Sequence, residues 1–170
     1  MLYNDNNRLH TKEILMKNYQ YYGWECQPVP EHQPPEAFAC IRTPQALYDA
    51  LLHIWCAETC APRMREKWHA GNPTLGQCSI TAFLAQDLFG GKVHGILRQG
   101  GNYHCFNIVG GCTFDLTSEQ FGDEVLCYEN QPEQSRDVHF AKEEKRLRYE
   151  YLREKLQAYC KEYAEAQSKA

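Results

Sequence analysis

Apolar positions recur at steps of three and four in three stretches of the chain, and at steps of two in another, and these rhythms predict its elements. Leu47, Leu51, Ile54 and Trp55 make one helical stripe. Thr43-Pro44 ahead of it offers an N-cap and a proline at the first helical position. Pro62 predicts an end near Cys60, because proline cannot continue a helix. Ile80, Phe83, Leu84 and Leu88 form the inward side of a second helix, Cys78–Phe89, which follows the loop at residues 71–76 and stops at Gly90-Gly91. Tyr149, Leu152, Leu156, Tyr159 and Tyr163 mark a long third helix over roughly residues 138–166. Between the second and third lie short β-branched and aromatic runs at 92–97, 103–109 and 113–116. Gln99-Gly100-Gly101-Asn102 and Gly110-Gly111 separate them as turns, which predicts an antiparallel meander.

Upstream, Thr11 to Met16 carries helical signals, followed by Tyr19, Tyr21, Tyr22 and Trp24. Pro28, Pro30, Pro34 and Pro35 then predict an extended connector, since each fixes φ and removes a backbone donor. The reading is one domain over 1–170: an N-terminal helix and proline-rich segment to 43, a core over 44–137, and the C-terminal helix from 138. At 170 residues, with 43% hydrophobic and 24% charged, such a chain buries a core without covalent staples. The third helical stripe either docks on the domain's own sheet or forms a homodimer seam.

Charge excludes more than it assigns. A net charge of −4 carries no basic footprint for nucleic acid. The basic stretch Lys142 to Arg153 alternates with Glu143, Glu144, Glu150 and Glu154 and reads as a solvated helix face. Met1 to His10 does not read as a secretory leader, and no run approaches the roughly 18 apolar residues of a membrane helix. No membrane partner is expected, and the expected compartment is the cytoplasm. There the nine cysteines should be free thiols, most of them small buried hydrophobes.

One cysteine differs from the rest by position. Cys78 opens a helix, where unpaired amides and the positive dipole end favour a thiolate and can stabilise an oxyanion. Gly76 lets backbone approach a substrate closely, and the Gln77 side chain supplies a further donor. A thiol nucleophile also needs a base and an orienting group. His104 stands within the second strand after the Cys78 helix, and Asp115 in the next short strand. Antiparallel pairing across Gly110-Gly111 brings the two together, so that Asp115 holds the tautomer of His104. Asn107, at the end of the same strand, is a candidate to line the site and contact substrate.

These segments resemble known families. Gly76-Gln77-Cys78-Ser79-Ile80-Thr81-Ala82 is similar to the nucleophile segment of transglutaminases, although Ser79 stands where those enzymes usually carry Trp. Tyr103-His104-Cys105-Phe106-Asn107 resembles their His-aromatic-Asn strand, and Phe114-Asp115-Leu116-Thr117 their Asp-x-Thr segment. A closer likeness is to the bacterial YunG-like family. It rests on Asn72 to Cys78, Gly90-Gly91, His104 to Asn107, and Asp115-Leu116-Thr117-Ser118-Glu119-Gln120-Phe121. The transglutaminase likeness implies an α+β fold with a papain-like or transglutaminase-like core: a nucleophile helix on a small antiparallel sheet, with flanking helices. It implies thiol-dependent hydrolysis or acyl transfer on a small-molecule, peptide or protein amide or ester, with Cys78, His104 and Asp115 as triad. Neither cofactor nor metal is required.

Other readings of the same residues stay open. Thr117 or Ser118 would also cap a helix beginning after Asp115. Cys56 and Cys60, four apart on the first helix, with His53 and thiolates from Cys105, Cys112 and Cys127, would suit a structural zinc better if a Cys-x-x-Cys pair were present. A non-catalytic binding or regulatory module of the same shape would rely on Tyr19, Tyr21, Tyr22, Trp24, Trp55 and Trp68 instead of the thiol.

Overall fold

The computed structural model describes residues 19–170. The helix expected around Thr11 to Met16 lies outside the described residues. A short 3-10 turn, Glu36–Phe38, precedes helix α1 (Pro44–Ile54), and a second, Pro62–Lys67, precedes α2 (Cys78–Phe89). Strands β1 (Lys92–Leu97), β2 (Tyr103–Val109) and β3 (Cys112–Phe114) follow, then a 3-10 turn Ser118–Phe121, helix α3 (Arg136–Phe140) and helix α4 (Glu143–Ser168). The architecture is α+β. Its sheet is antiparallel in the order β1-β2-β3, and a long helix closes the chain.

Helix α2 is the centre of the packing. One side lies on β2 and β1, and the other meets α4, so the helix is buried nearly all round. Small residues make this possible: Ser79, Ala82 and Ala85 are buried along with Ile80, Phe83 and Leu84. Across the Ala82 gap, Asn107 of β2 donates from Nδ2 to the Ala82 carbonyl at 2.8 Å. That bond ties the middle of the sheet to α2. Leu47 and Leu51 of α1, Val93, Val109 and Phe114 of the sheet, and Leu152 and Leu156 of α4 complete one continuous core.

Sequence signals hold at several ends. Thr43 accepts the Ala46 amide at 3.1 Å with Pro44 at the first helical position. Gly90 ends α2 at φ 80°, a conformation side chains resist. The other end of α1 departs from expectation: it stops at Ile54 instead of near Cys60. Thr59 takes over the chain there, its hydroxyl accepting the Cys56 amide at 3.0 Å and donating to the Cys56 carbonyl at 2.9 Å. A side chain that offers the backbone such a local alternative competes with helix. Cys56 and Cys60 are therefore not on one helix face. Among the described residues no group of three or more His, Cys, Asp or Glu is arranged to hold a metal ion.

The C-terminal helix is two helices. Ser135 caps α3, whose Arg136 pairs with Asp87 of α2 at 2.5 Å, and the chain then turns at Ala141-Lys142 into α4. The apolar stripe of α4 packs mainly on α1 and α2. Tyr149, Leu152, Leu156 and Cys160 are buried, while Tyr163 is exposed. Cys26 and Cys112 form a disulfide with Cα atoms 5.9 Å apart, which corrects the expectation of nine free thiols. Cys112 opens β3, and Cys26 follows the Tyr22–Asp115 bridge that lays its segment alongside. Among the described residues no helix is long and apolar enough to cross a membrane.

Asn107→Ala removes the tie between sheet and helix and leaves a small void. It is expected to lower unfolding free energy by about 2–3 kcal/mol, read as a lower urea midpoint at unchanged slope. An unchanged midpoint would show that the tie does not hold the sheet on α2.

Candidate active site

The loop before α2 makes the site possible. Gly76 sits at φ +69°, and a Cβ there would lie 2.6 Å from Cys60 Sγ and 3.0 Å from the Ala61 amide nitrogen. Its freedom serves the close approach of residues 60–61, which the Ala61 amide seals by donating to the Gly76 carbonyl at 2.9 Å. Gly76 also lines the cleft described below. Gln77 then enters the helix without capping it by its side chain. The first amides of α2 are thus left for another acceptor.

The ladder hydrogen bonds explain how Cys78 meets the sheet. Gly95 of β1 turns its amide outward to the Pro132 carbonyl at 3.0 Å. Its partner across the ladder, Cys105, accordingly points its own amide to the opposite edge of β2. Strand β3 pairs only with residues 107–109 and does not reach that edge. Cys78 Sγ occupies the space and accepts the Cys105 amide. Its sulfur also lies 4.0 Å from the Tyr103 carbonyl oxygen.

Asp115 leaves the strand predicted for it. Strand β3 ends at Phe114, and Asp115 pairs instead with Tyr22, donating its amide to the Tyr22 carbonyl at 2.9 Å. Each carboxylate oxygen is doubly occupied. Oδ1 accepts the Thr117 amide at 3.0 Å and the Thr117 hydroxyl at 3.1 Å. Oδ2 accepts His104 Nε2 at 2.5 Å and the Tyr128 hydroxyl at 2.9 Å. Burial and then the Asp115 charge push the Tyr128 phenol well up, so it remains a donor. The helix start foreseen at Thr117-Ser118 is a single 3-10 turn with no side-chain cap from Thr117, whose hydroxyl serves Asp115.

His104 is 3% exposed and Asp115 1%, so bulk salt screens their attraction little. With Nε2 held by Asp115, Nδ1 has no hydrogen-bond partner in the resting geometry. It is the ring nitrogen left to the Cys78 sulfur, with which the imidazole interacts. Phe121 meets the ring edge-on at 4.6 Å and fixes its plane. Burial alone would lower the His104 pKa; the Asp115 carboxylate and the Cys78 sulfur outweigh it and push it up to about 10. Burial raises the Cys78 thiol, but His104 and the Cys105 amide outweigh it and bring it below the usual thiol value. Both shifts favour the thiolate–imidazolium form of the pair.

The sulfur opens onto a cleft of about 460 Å³ lined by Gly76, Cys78, Tyr103, His104, Gln120 and Phe121, and by the N-terminal end of α4. That size suits a small ligand. The two other sequence candidates point elsewhere. Gln77 is fully buried and donates from Nε2 to the Cys56 carbonyl at 3.2 Å, away from the cleft lining. Asn107 serves Ala82. Sequence reasoning missed Tyr128, which no periodic pattern marks, and the cations of α4. Lys142, Lys145 and Arg148 line the cleft; Arg148 is buried and Lys145 half-buried, while Lys142, Glu143, Glu144, Glu150, Arg153 and Glu154 are exposed, as a solvated face requires.

Two measurements follow from the electrostatics. Iodoacetamide labelling of Cys78, mapped by mass spectrometry, should stay fast well below the ordinary thiol range of about pH 8.5. His104→Ala should restore ordinary thiol behaviour; labelling indifferent to His104 would contradict the pair. In a Cys78→Ala chain only the imidazole of the pair titrates. Asp115 still raises its folded pKa, now without the Cys78 contribution, so stabilisation by Asp115 is complete below the unfolded value of about 6.5 and fades as pH rises from there through the folded value. The stability advantage over Asp115→Asn should shrink across that window, and a difference constant with pH would rule out the charged pair.

Comparison with known proteins covers the same region. The family model described as YunG protein matches residues 43–161, from the N-cap of α1 into α4, with Cys78, His104 and Asp115 inside the match. The protein named "Uncharacterized protein YunG" of Bacillus subtilis (strain 168) is 34% identical over 88 residues, 52% of this chain and 73% of that protein. No solved structure matches the chain. With its family model spanning both α2 and the sheet that carries His104, the chain belongs to the YunG protein family.

Proposed function

We propose that the protein is a thiol-dependent amide or ester hydrolase or acyltransferase that uses Cys78, His104 and Asp115 as its triad. One observation carries the reading: a buried imidazole has Nε2 bound to Asp115 at 2.5 Å and Nδ1 unpartnered beside a helix-terminal sulfur at the floor of a cleft. The chain order Cys, His, Asp and the packing of α2 on an antiparallel sheet support a papain-like or transglutaminase-like core as part of the same reading.

The thiolate attacks the substrate carbonyl carbon, and the carbonyl π electrons move onto oxygen. The amide of Cys78, at a helix terminus with no side-chain cap, holds that oxyanion. Gln77 is left out of this step, because it is buried outside the cleft lining with Nε2 donating to the Cys56 carbonyl. As the tetrahedral adduct collapses, His104 Nδ1 delivers its proton to the departing amine or alcohol, leaving a thioester on Cys78. Neutral His104 then takes a proton from the incoming water or amine, which resolves the thioester. Throughout, Asp115 holds Nε2 protonated, and Tyr128 and Thr117 hold Asp115.

A purely binding role has less support. Of the six aromatics it would use, Tyr21 and Trp55 are buried, Tyr19 and Trp24 pack against the core and Trp68 is half-buried, which leaves Tyr22 exposed.

An activated ester such as p-nitrophenyl acetate tests the reading without knowledge of the substrate. The expected result is a burst near one acyl group per chain, trapped in acid on Cys78 and absent in Cys78→Ala. His104→Ala should slow it by about 10²–10⁴-fold. Acylation spread over several cysteines, or none above the rate of a free thiol, would count against it.

A further inference from the structure

Two of the cations in the cleft wall are already paired. Arg98 donates twice to Glu124, at 2.7 and 2.9 Å. Arg148 donates to Glu144 at 2.9 Å and to the Thr59 carbonyl at 3.0 Å. Arg63, Lys142 and Lys145 remain in the same wall, and no carboxylate pairs with any of them among the described residues. With Cys78 as thiolate and His104 as imidazolium, the negative charge left over is that of Asp115, which is buried, accepts four hydrogen bonds and does not line the cleft. In a chain of net charge −4, three unpaired cations around one concave surface stand against the overall balance.

Lys145 shows that the charge is held on purpose. Its Nζ lies 3.0 Å from His139 Nδ1, while His139 Nε2 donates to Gln134 Oε1 at 3.0 Å. Burial, then Lys145 and Lys142, lower His139 to about 4, so at neutral pH this imidazole accepts from the lysine without neutralising it. A neutral, buried acceptor fixes where the ammonium sits and leaves its charge for something else. Burial lowers Lys145 itself; the Cys105 and Cys78 sulfurs oppose the shift, while Lys142 and Arg148 add to it. An anion arriving between these cations would relieve their mutual repulsion.

Resting on the proposed thiol chemistry, we infer that the amide or ester taken by this site is a small molecule bearing a carboxylate or phosphate, bound by Arg63, Lys142 and Lys145 while its carbonyl faces Cys78. The cleft volume of about 460 Å³ fits a small ligand. Its positive wall raises the local concentration of an anionic reactant.

Two alkylating reagents that differ in charge test this. Rates at Cys78 for iodoacetate and for iodoacetamide are measured on the full chain and compared with those at exposed Cys127. The iodoacetate-to-iodoacetamide ratio at Cys78 should exceed that at Cys127 by about tenfold or more. It should fall toward the Cys127 value in Lys145→Met and in the pair Arg63→Gln with Lys142→Gln. A ratio no higher at Cys78, or one these changes do not lower, overturns the inference. If iodoacetamide favours Cys78 but charge does not matter, the inference alone fails. If iodoacetamide does not favour Cys78, the thiol reading fails and takes the inference with it. Competition separates the sources: protection of Cys78 by glutarate assigns a carboxylate, and protection by inorganic phosphate assigns a phosphate.

Discussion

A carboxylate and an imidazole removed from water at 2.5 Å set the terms for everything around them. Neither group would be stable there alone, since an unpaired buried charge costs several kcal/mol. The fold meets that cost by giving both Asp115 oxygens two donors each and by closing Phe121 and Tyr128 over the pair. Tyr128 in turn stacks on Tyr22 with ring centres 3.8 Å apart, and the Tyr22 carbonyl accepts the Asp115 amide. The segment before α1, the end of β3 and the loop after it thus meet at one residue, Asp115.

Cys78 gains its character from two features of the backbone. The helix terminus places the sulfur at the edge of β2, and the short β3 leaves the Cys105 amide there with no strand to pair with. A longer β3 would have satisfied that amide and displaced the sulfur. The length of a three-residue strand is therefore part of the chemistry. Asn107 contributes at one remove, by tying the strand that carries His104 to the helix that carries Cys78.

Much of this frame was legible in the sequence where local rules decide the outcome. Helix α2, β1 and β2 follow from periodicity, and the Thr43 cap and Gly90 stop from residue chemistry. The meeting of His104 with Asp115 was legible because one sits on β2 and the other just past β3, its neighbour in the sheet. What stayed hidden depends on partners distant in sequence. The early end of α1 comes from the Thr59 hydroxyl, and the break between α3 and α4 involves ordinary residues anchored by Arg136 on Asp87. Gln77 and Asn107 looked like site residues because they are polar and adjacent to the site, yet their partners are Cys56 and Ala82. Lys145 looked solvated because alternating charge on a helix usually is, until the short α3 brought His139 beside it.

The central claim is that Cys78 rests as a thiolate because His104, held by Asp115, rests as an imidazolium. Ultraviolet absorbance of thiolate, titrated from neutral to acid pH and taken as the difference between wild type and Cys78→Ala, reads this without any substrate. The account predicts a Cys78-dependent thiolate signal that persists below about pH 7, well under the ordinary thiol value near 8.5, and is lost in His104→Ala. A difference signal that emerges only above about pH 8, in wild type and His104→Ala alike, would contradict it.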